Sequence, residues 1–459
     1  MKLAILGLDC AAPRLVFERF RDDLPNLKAL MAGGCHGPLL STHPPITVPA
    51  WACMMSSRDP GQLGIYGFRN RKDHSYDGYA MANASVLGDE AIWHGLGRAG
   101  RQVIVLGVPP SYPPRPLNGV QVGCFLTPST DRPYTHPPEL RQEIERVAPG
   151  YVVDVEGFRT DDKEALLGRI YDKTRKHFAV ARHLLKTRPW DFFMMVEMGV
   201  DRIHHSFWKY MDPEHPKHEP GNRFEDAIRQ YYRHCDQELG EVISLMPKDT
   251  AILVVSDHGA KKLDGGICFN EWLIRKGYLT LKSYPDKSTP IGKAEIDWSK
   301  TKAWGDGGYY GRLFLNVKGR EPQGTIDPRD YDKVRSDLIA QIEAIEDPSG
   351  RLIGSRAHRP EDLYREVRGV APDLIAYFGN LDWRSIGSVG LKTIHTFEND
   401  TGPDDANHDW HGIFIMRSGS SREPKGELRG LRIYDVAPTV LDLLGVERPA
   451  GMIGRSLLG

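Results

Sequence analysis

The chain reads as an α/β protein, with a largely parallel, doubly wound sheet and helices on both faces. Three observations lead there. Four runs are almost continuously apolar: "KLAILGL" (2–8), "VIVLGV" (103–108), "DFFMMVEM" (191–198) and "AILVVS" (251–256). Short runs of this kind are strands buried on both faces, as parallel strands are. Helical spacing lies between them: Phe224, Ile228, Tyr231, Cys235, Leu239, Val242 and Met246 recur at steps of three and four, one apolar face of a long helix. The length, 459 residues, suits one large domain with insertions or two domains. Strands alternating with helices make a doubly wound fold.

The first strand ends at Asp9, which "CAAPRLVF" follows. Taken alone, Asp9 is an N-cap for the next helix. Next comes "PPITVPAWACMM" (44–55), with a single hydroxyl, Thr47, among Pro44, Pro45 and Pro49. The prolines restrict the backbone and discourage a helix through them, so the following helix is expected from near Ala50. The third strand runs into "VEMGVDRIHHSFW", where Asp201 and His205 are four apart. On a helix that spacing puts both on one face, as two ligands of one ion or as a solvated pair. The fourth strand runs into "SDHG", with Asp257 and His258. A buried Asp–His pair costs desolvation unless something binds it.

After about residue 280 the texture changes. "KSYPDKSTPIGKAEIDWSKTK" is a polar, proline-bearing loop, "GRLFLNV" (311–317) a strand, and Tyr331, Val334, Leu338, Ile342 and Ile345 mark an amphipathic helix. Residues 286–395 are expected to form a smaller inserted or cap-like subdomain, with 1–285 and 396–459 as the core. "ANHDWHG" carries His408 and His411 just before a last core strand, "GIFIM" (412–416). "IYDVAPTVLDLLG" (433–445) is a closing helix stopped by Gly445.

Lys+Arg total 60 and Asp+Glu 61, which gives no nucleic-acid or membrane-surface signal. The six cysteines are scattered without a CxxC pair, so neither a zinc ribbon nor a redox motif is indicated. They suggest free thiols in a reducing compartment. The start "MKLAILGLD" has no signal-peptide pattern and no apolar run reaches membrane length, so a cytoplasmic location is expected.

In open α/β sheets ligands bind beyond the carboxyl ends of the strands, so Asp9, Asp201 and Asp257 converge on one rim. His408 starts a strand and joins them only if its loop returns there or that strand is antiparallel. Three carboxylates and three imidazoles suit zinc or manganese, and six ligands are too many for one tetrahedral ion but right for two. Two such ions clamp an in-line displacement at phosphorus. Metal coordination activates an otherwise weak hydroxyl nucleophile, for which Thr47 is the candidate.

With these motifs the chain resembles the alkaline phosphatase superfamily, in its type I phosphodiesterase/nucleotide pyrophosphatase branch. It is most similar to the bacterial and archaeal proteins called predicted phosphohydrolase/phosphomutase. "ILGLDCAAPRLV", "LPNLKALMAGGCHGPLLSTHPPITVPAWACMMSSRDPGQLGIYGF", "DRIHHSFWKYMDPEHP", "VVSDHG", "KTKAW" and "YDVAPTVLDLLG" carry the likeness. The resemblance implies an alkaline-phosphatase-like fold and two divalent ions, zinc first, with manganese or iron also accepted. It implies Asp9, Thr47, Asp257 and His258 on one ion and Asp201, His205 and His408 on the other, with "HDWHGIFI" favouring His408 over its competitor His411. It also implies a phosphothreonine intermediate on Thr47, two inversions, and a small-molecule phosphoester substrate, monoester or diester.

The same site would serve a phosphomutase or phosphoryl transferase. The alternative from another class is an inactive binding or sensor protein. "TVPAW" lacks the Cys/Ser and Arg of a sulfatase. The Asn that relatives carry after the nucleophile is Phe68 here, so either Asn70 or Arg69 substitutes for it or the phosphoryl oxygens are held differently. By analogy Tyr309 and Tyr310 face the substrate, or else they pack the subdomain. Arg202 and His204 support the ligands beside them. Lys261 and Lys262 read as a solvated loop pair.

Overall fold

A computed structural model describes residues 1–458. Six strands and five helices position everything that follows. They are β1 (Leu3–Leu8), β2 (Cys35–Leu40), β3 (Val103–Leu106), β4 (Phe192–Glu197), β5 (Ala251–Val255) and β6 (His411–Arg417). The helices are α1 (Thr47–Ser56), α2 (Lys163–Thr187), α3 (Gly199–Met211), α4 (Ala227–Ser244) and α5 (Val436–Leu444).

The four apolar runs are the four central parallel strands. The ten-stranded sheet has the spatial order β2–β6–β5–β1–β4–β3 at its centre. β1 pairs in parallel with β4 (Leu8 opposite Glu197) and with β5 (Gly7 opposite Val255). All four strands are buried along their length. Alternate residues feed opposite cores, as the two-residue period requires. Leu6, Leu8 and Val254 pack with Ile203, Phe207 and Tyr231 under α2, α3 and α4. Leu3, Ile5 and Leu253 pack with Trp51, Met54 and Val440 under α1 and α5.

Helix α1 starts at Thr47, three residues earlier than expected from the prolines. The first turn of a helix has no intrahelical acceptor for its N–H groups, so Pro49 at the third position forfeits nothing. The first backbone bond runs from Ala50 N–H to Ile46 O at 2.9 Å. All ten residues of α1 are buried. Trp51 reaches over β1 because Gly7 has no side chain: a Cβ there would stand 2.7 Å from Trp51 Cη2.

β6 runs antiparallel to β5 and to β2, so its first residues lie at the rim where the parallel strands end. A short ribbon prepares that return. Gly259–Lys262, just after β5, pairs antiparallel with Ala406–Asp409, and His408 stands opposite Ala260. A four-stranded antiparallel sheet (Ala303–Asp306, Gly311–Leu315, Leu374–Tyr377, Arg356–His358) lies outside the main one. Its core of Leu313, Leu315, Leu338, Ile342 and Leu374 includes the amphipathic helix Tyr331–Glu343. Gly445 ends α5 in the left-handed region, φ 65°. Among the described residues no helix is long and apolar enough to cross a membrane.

Candidate active site

Asp9 follows β1 with its carboxylate wholly buried. It caps no helix, because the next helical turn begins at Arg14 with Pro13 before it. Instead Trp51 Nε1 donates to Asp9 Oδ2 at 2.6 Å, and Oδ1 has no hydrogen-bond partner. Cys10 then turns through the left-handed region, φ 66°, and its N–H donates to Asp257 Oδ1 at 3.1 Å. Ala11 N–H donates to Ser256 Oγ at 2.8 Å. The turns after β1 and β5 are thus tied together, which brings Asp9 and Asp257 side by side.

His258 Nε2 lies 3.1 Å from Asp257 Oδ2 and 3.9 Å from Asp9 Oδ1. Thr47 Oγ1, on the first residue of α1, is 3.4 Å from the same nitrogen. Asp201 and His205 occupy the first two turns of α3, with His205 Nε2 3.2 Å from Asp201 Oδ1. His408 Nε2 stands 3.3 Å from His205 Nε2 and 3.7 Å from Asp201 Oδ1. The His258 and His408 rings stack at 3.8 Å, closing the two halves into one centre. Asp201 belongs to both: Asp201, His205 and His408 form one group of atoms within 4.8 Å of one another, and Asp9, Asp201 and His258 another.

The hydrogen bonds at the back of the three imidazoles fix what the centre offers. Nδ1 of His258 faces Gly259 O at 3.1 Å, Nδ1 of His408 faces Pro45 O at 2.9 Å, and Nδ1 of His205 faces Asp404 Oδ1 at 2.8 Å. A carbonyl or carboxylate can only accept, so each ring carries a proton on Nδ1 and turns Nε2 inward, where a neutral ring offers its lone pair. Asp9 Oδ1, Asp201 Oδ1 and Asp257 Oδ2 are buried there without hydrogen-bond partners. Three ring nitrogens and three carboxylate oxygens thus converge in a dry place, an arrangement suited to cations.

Without cations, protons do part of that work. Burial and the Asp201 charge push Asp9 well above the usual carboxylate range, and burial with Asp9 does the same to Asp257. Burial opposes the charge of Asp201, yet His205 and Arg202 hold it well below that range. Burial opposes the charge of His205 too, but Asp404 and Asp201 push it up to about 9. Burial takes His258 down to about 4 and, with the neighbouring His258, takes His408 well below its ordinary value.

The remaining residues picked from the sequence divide. The Tyr309 ring lies on His408 at 4.0 Å and on His205 at 4.9 Å, only 9% exposed, as a cover over the centre. Tyr310 points elsewhere and donates to Tyr66 O within an aromatic cluster. Asn70 ties its own turn, accepting from Tyr66 N–H at 2.7 Å and donating to Gly67 O at 2.9 Å. Arg69 is exposed, and its carbonyl accepts from Arg312. His411 is exposed on β6 opposite Leu40, away from the ligand set.

Arg202 donates to Asp201 and to Asp154 Oδ2, the latter at 2.6 Å. His204 turns to Tyr232 OH at 3.2 Å. Lys261 pairs with Asp382 at 2.6 Å, and Lys262 pairs with Asp264. Sequence reasoning missed Trp51, Asp154, Arg159, Arg384 and Asp404. Trp51 stands four residues after Thr47, one turn along the same helix, and that spacing could have flagged it. Asp404 sits in a polar loop with no periodicity to betray it.

Comparison with known proteins places the chain in a family. The family model described as type I phosphodiesterase / nucleotide pyrophosphatase matches residues 3–410. No curated protein matches the sequence. Human ectonucleotide pyrophosphatase/phosphodiesterase 5 superposes with a TM-score of 0.55 at 15% identity, covering 98% of this chain and 96% of that one. The murine protein of the same name, in an inactive threonine-to-alanine form with AMP, superposes with a TM-score of 0.54 at 14% identity over the same shares. At these identities the structural likeness is one of fold, and the family match covers most of the sequence. The chain belongs to the type I phosphodiesterase/nucleotide pyrophosphatase family.

Proposed function

We propose that this chain is a two-metal phosphoester hydrolase, acting on a monoester or diester with Thr47 as its nucleophile. The observation that carries the reading is the inward convergence of three Nε2 atoms and three unpartnered carboxylate oxygens around the Thr47 hydroxyl. Asp9, Thr47, Asp257 and His258 would hold one ion and Asp201, His205 and His408 the other, with Asp201 within reach of both. The donor mix suits zinc, and manganese or iron next. Such ions, when bound, supply positive charge to the phosphoryl oxygens and make hydroxyl and water stronger acids.

The chain's own residues do the rest. Helix α1 presents Thr47 from its first position, so Oγ1 is fixed by the helix. No side chain caps that helix, and Thr47 and Val48 keep N–H groups without intrahelical acceptors, which favours the negative charge of a phosphoryl group. With the Asn70 amide tied into its own turn, these N–H groups take on the holding of phosphoryl oxygens. Thr47 forms the Oγ–P bond as the bond from phosphorus to the leaving oxygen breaks, and the proton given up by the hydroxyl is balanced by the one taken up by the departing alkoxide, which leaves as the alcohol. Water then cleaves the phosphothreonine, releasing the phosphoryl group and restoring Thr47. Each displacement inverts phosphorus, so the configuration is retained overall. Trp51 steadies Asp9 through its N–H, and Tyr309 keeps bulk water off the imidazoles. The AMP complex of the murine relative supports a phosphoester of an organic alcohol as the substrate class.

The test compares metal-loaded wild type with Thr47→Ala on a nitrophenyl phosphate monoester and the corresponding diester. Losing the nucleophile should cost on the order of 10³-fold or more in kcat while the protein still binds metal. Turnover within a few-fold of wild type would show that Thr47 is not the nucleophile.

A further inference from the structure

All three imidazoles of the centre turn Nδ1 outward, but to different acceptors. His258 and His408 use the main-chain carbonyls of Gly259 and Pro45. His205 meets a carboxylate, Asp404 Oδ1, at 2.8 Å, with Ala406 O a second acceptor at 3.1 Å. Asp404 is fully buried at its side chain and shared. Its Oδ2 accepts from Arg159 Nε at 3.2 Å, Arg159 Nη2 at 3.1 Å and Arg384 Nη1 at 3.0 Å. Arg159 Nη2 also donates to Tyr309 OH at 2.9 Å. The Arg384 guanidinium lies 5.2 Å from the centroid of the Tyr309 ring. A single carboxylate therefore touches a candidate ligand on one side and the two guanidinia that hold its cover on the other.

We propose that Asp404 is a positioning residue for the ion held by Asp201, His205 and His408, and that Arg159 couples it to Tyr309. The proposal rests on the two-metal reading above. A neutral imidazole has two tautomers, and only the one protonated at Nδ1 can offer Nε2 to a metal. A carboxylate behind the ring selects that tautomer, fixes the ring plane and makes Nε2 a stronger donor. The Ala406 carbonyl can do the first of these, but it lacks the charge needed for the third. Asp404 also spans two elements: it stands in the loop leading to the strand that carries His408, and it grips the helix that carries His205. The next N–H, of Asp405, donates to His205 O at 2.8 Å, so the grip has a main-chain half as well. Two ligands from distant parts of the chain are thus set against each other by one short segment. Tyr309 lies on both rings while Arg159 holds its hydroxyl, so the cover and the ligand pair share one anchor.

The test is zinc retention in Asp404→Asn, dialysed against graded chelator beside wild type and Thr47→Ala. Wild type should keep two equivalents, and Thr47→Ala should still take up two and lose affinity only for the ion of Asp9, Asp257 and His258. Asp404→Asn should release one of them at roughly 10- to 100-fold lower chelator strength, with the other unchanged. The visible spectrum of the cobalt-substituted variant should shift for that one site. If Asp404→Asn does not fold, Asp404→Glu serves: it keeps the charge for both arginines, and its longer arm moves the oxygen off Nδ1, giving the same selective loss. Arg159→Gln, at a half-buried position, should keep both zinc ions and raise KM more than it lowers kcat. The folded Asp404 variant holding both equivalents as wild type does, with an unshifted cobalt spectrum, overturns the positioning role. Arg159→Gln with unchanged KM overturns the coupling. A wild type that takes up fewer than two ions would instead sink the two-metal reading.

Discussion

Replacing Lys173 by Met tests how the start of α3, and with it Asp201 and His205, is held. Glu197 is the last residue of β4, and its carboxylate is wholly buried. Lys173 Nζ donates to both of its oxygens at 3.0 Å. Thr174 Oγ1 at 3.2 Å, Tyr231 OH at 3.3 Å and the N–H of Gly199 at 2.7 Å complete the set. Gly199 is the first residue of α3, so the carboxylate anchors that helix to the sheet. Methionine keeps most of the lysine's length and removes its charge. Two charge-assisted hydrogen bonds at about 1.5–3 kcal/mol each are lost. That agrees with the roughly 3–5 kcal/mol found when one partner of a buried ion pair is removed. Against a total stability of about 5–15 kcal/mol, this is a large share. Urea unfolding followed by tryptophan fluorescence should show it as a lower midpoint. The double variant Lys173→Met/Glu197→Gln removes the stranded charge yet keeps an acceptor for Gly199, and should recover most of the loss. A single-variant cost below about 1 kcal/mol, or a double variant no better than the single, would refute the reasoning.

Three further outcomes are expected. Gly7→Ala places a Cβ 2.7 Å from Trp51 Cη2 and 2.8 Å from Val196 Cγ2. It should cost about 1–3 kcal/mol by overpacking, and it should lower kcat as well because Trp51 holds Asp9, so a stability loss with full activity would count against that link. His408→Ala should lose zinc and activity while His411→Ala keeps both, since His411 is exposed and outside the ligand set; zinc analysis and turnover decide. Burial pushes the Asp405 carboxyl up to about 6, above an unfolded aspartate's ~4. The folded state therefore holds that proton more tightly. The stability it adds, roughly 3 kcal/mol for a shift of about two units, is complete below about pH 4 and is lost as pH rises through 6. Denaturation of wild type and Asp405→Asn between pH 4 and 7 should show a shallower loss of stability with rising pH in the variant, the difference being the Asp405 contribution.

Much of the fold was legible because its signals are local. A strand buried on both faces must be apolar throughout, so β1, β3, β4 and β5 announced themselves, and α4 carried its period in plain sight. Where local signals misled, geometry explains it. The prolines around Thr47 argued against a helix there, yet Pro49 falls in the one turn that tolerates it. Asn70 stood near the expected phosphoryl-binding position, and its amide ties its own turn, while the Arg69 side chain stays exposed.

The sequence by itself determined which chemistry was on offer: carboxylates and imidazoles at the ends of buried strands, and one hydroxyl held stiffly before a helix. Strand ends lie at one rim by topology, so Asp9, Asp201 and Asp257 could be placed together from their neighbours alone. Only the tertiary structure decided how they meet. His408 arrives through a ribbon pairing with residues just past β5, and β6 runs antiparallel. The orientation of every imidazole rests on acceptors that leave no mark beside it: a carbonyl from Pro45, a carbonyl from Gly259, and a carboxylate 199 residues from His205. Backbone carbonyls look alike in every residue, and a distant carboxylate has no spacing to read. Which lone pairs face the centre is therefore a property of the folded chain.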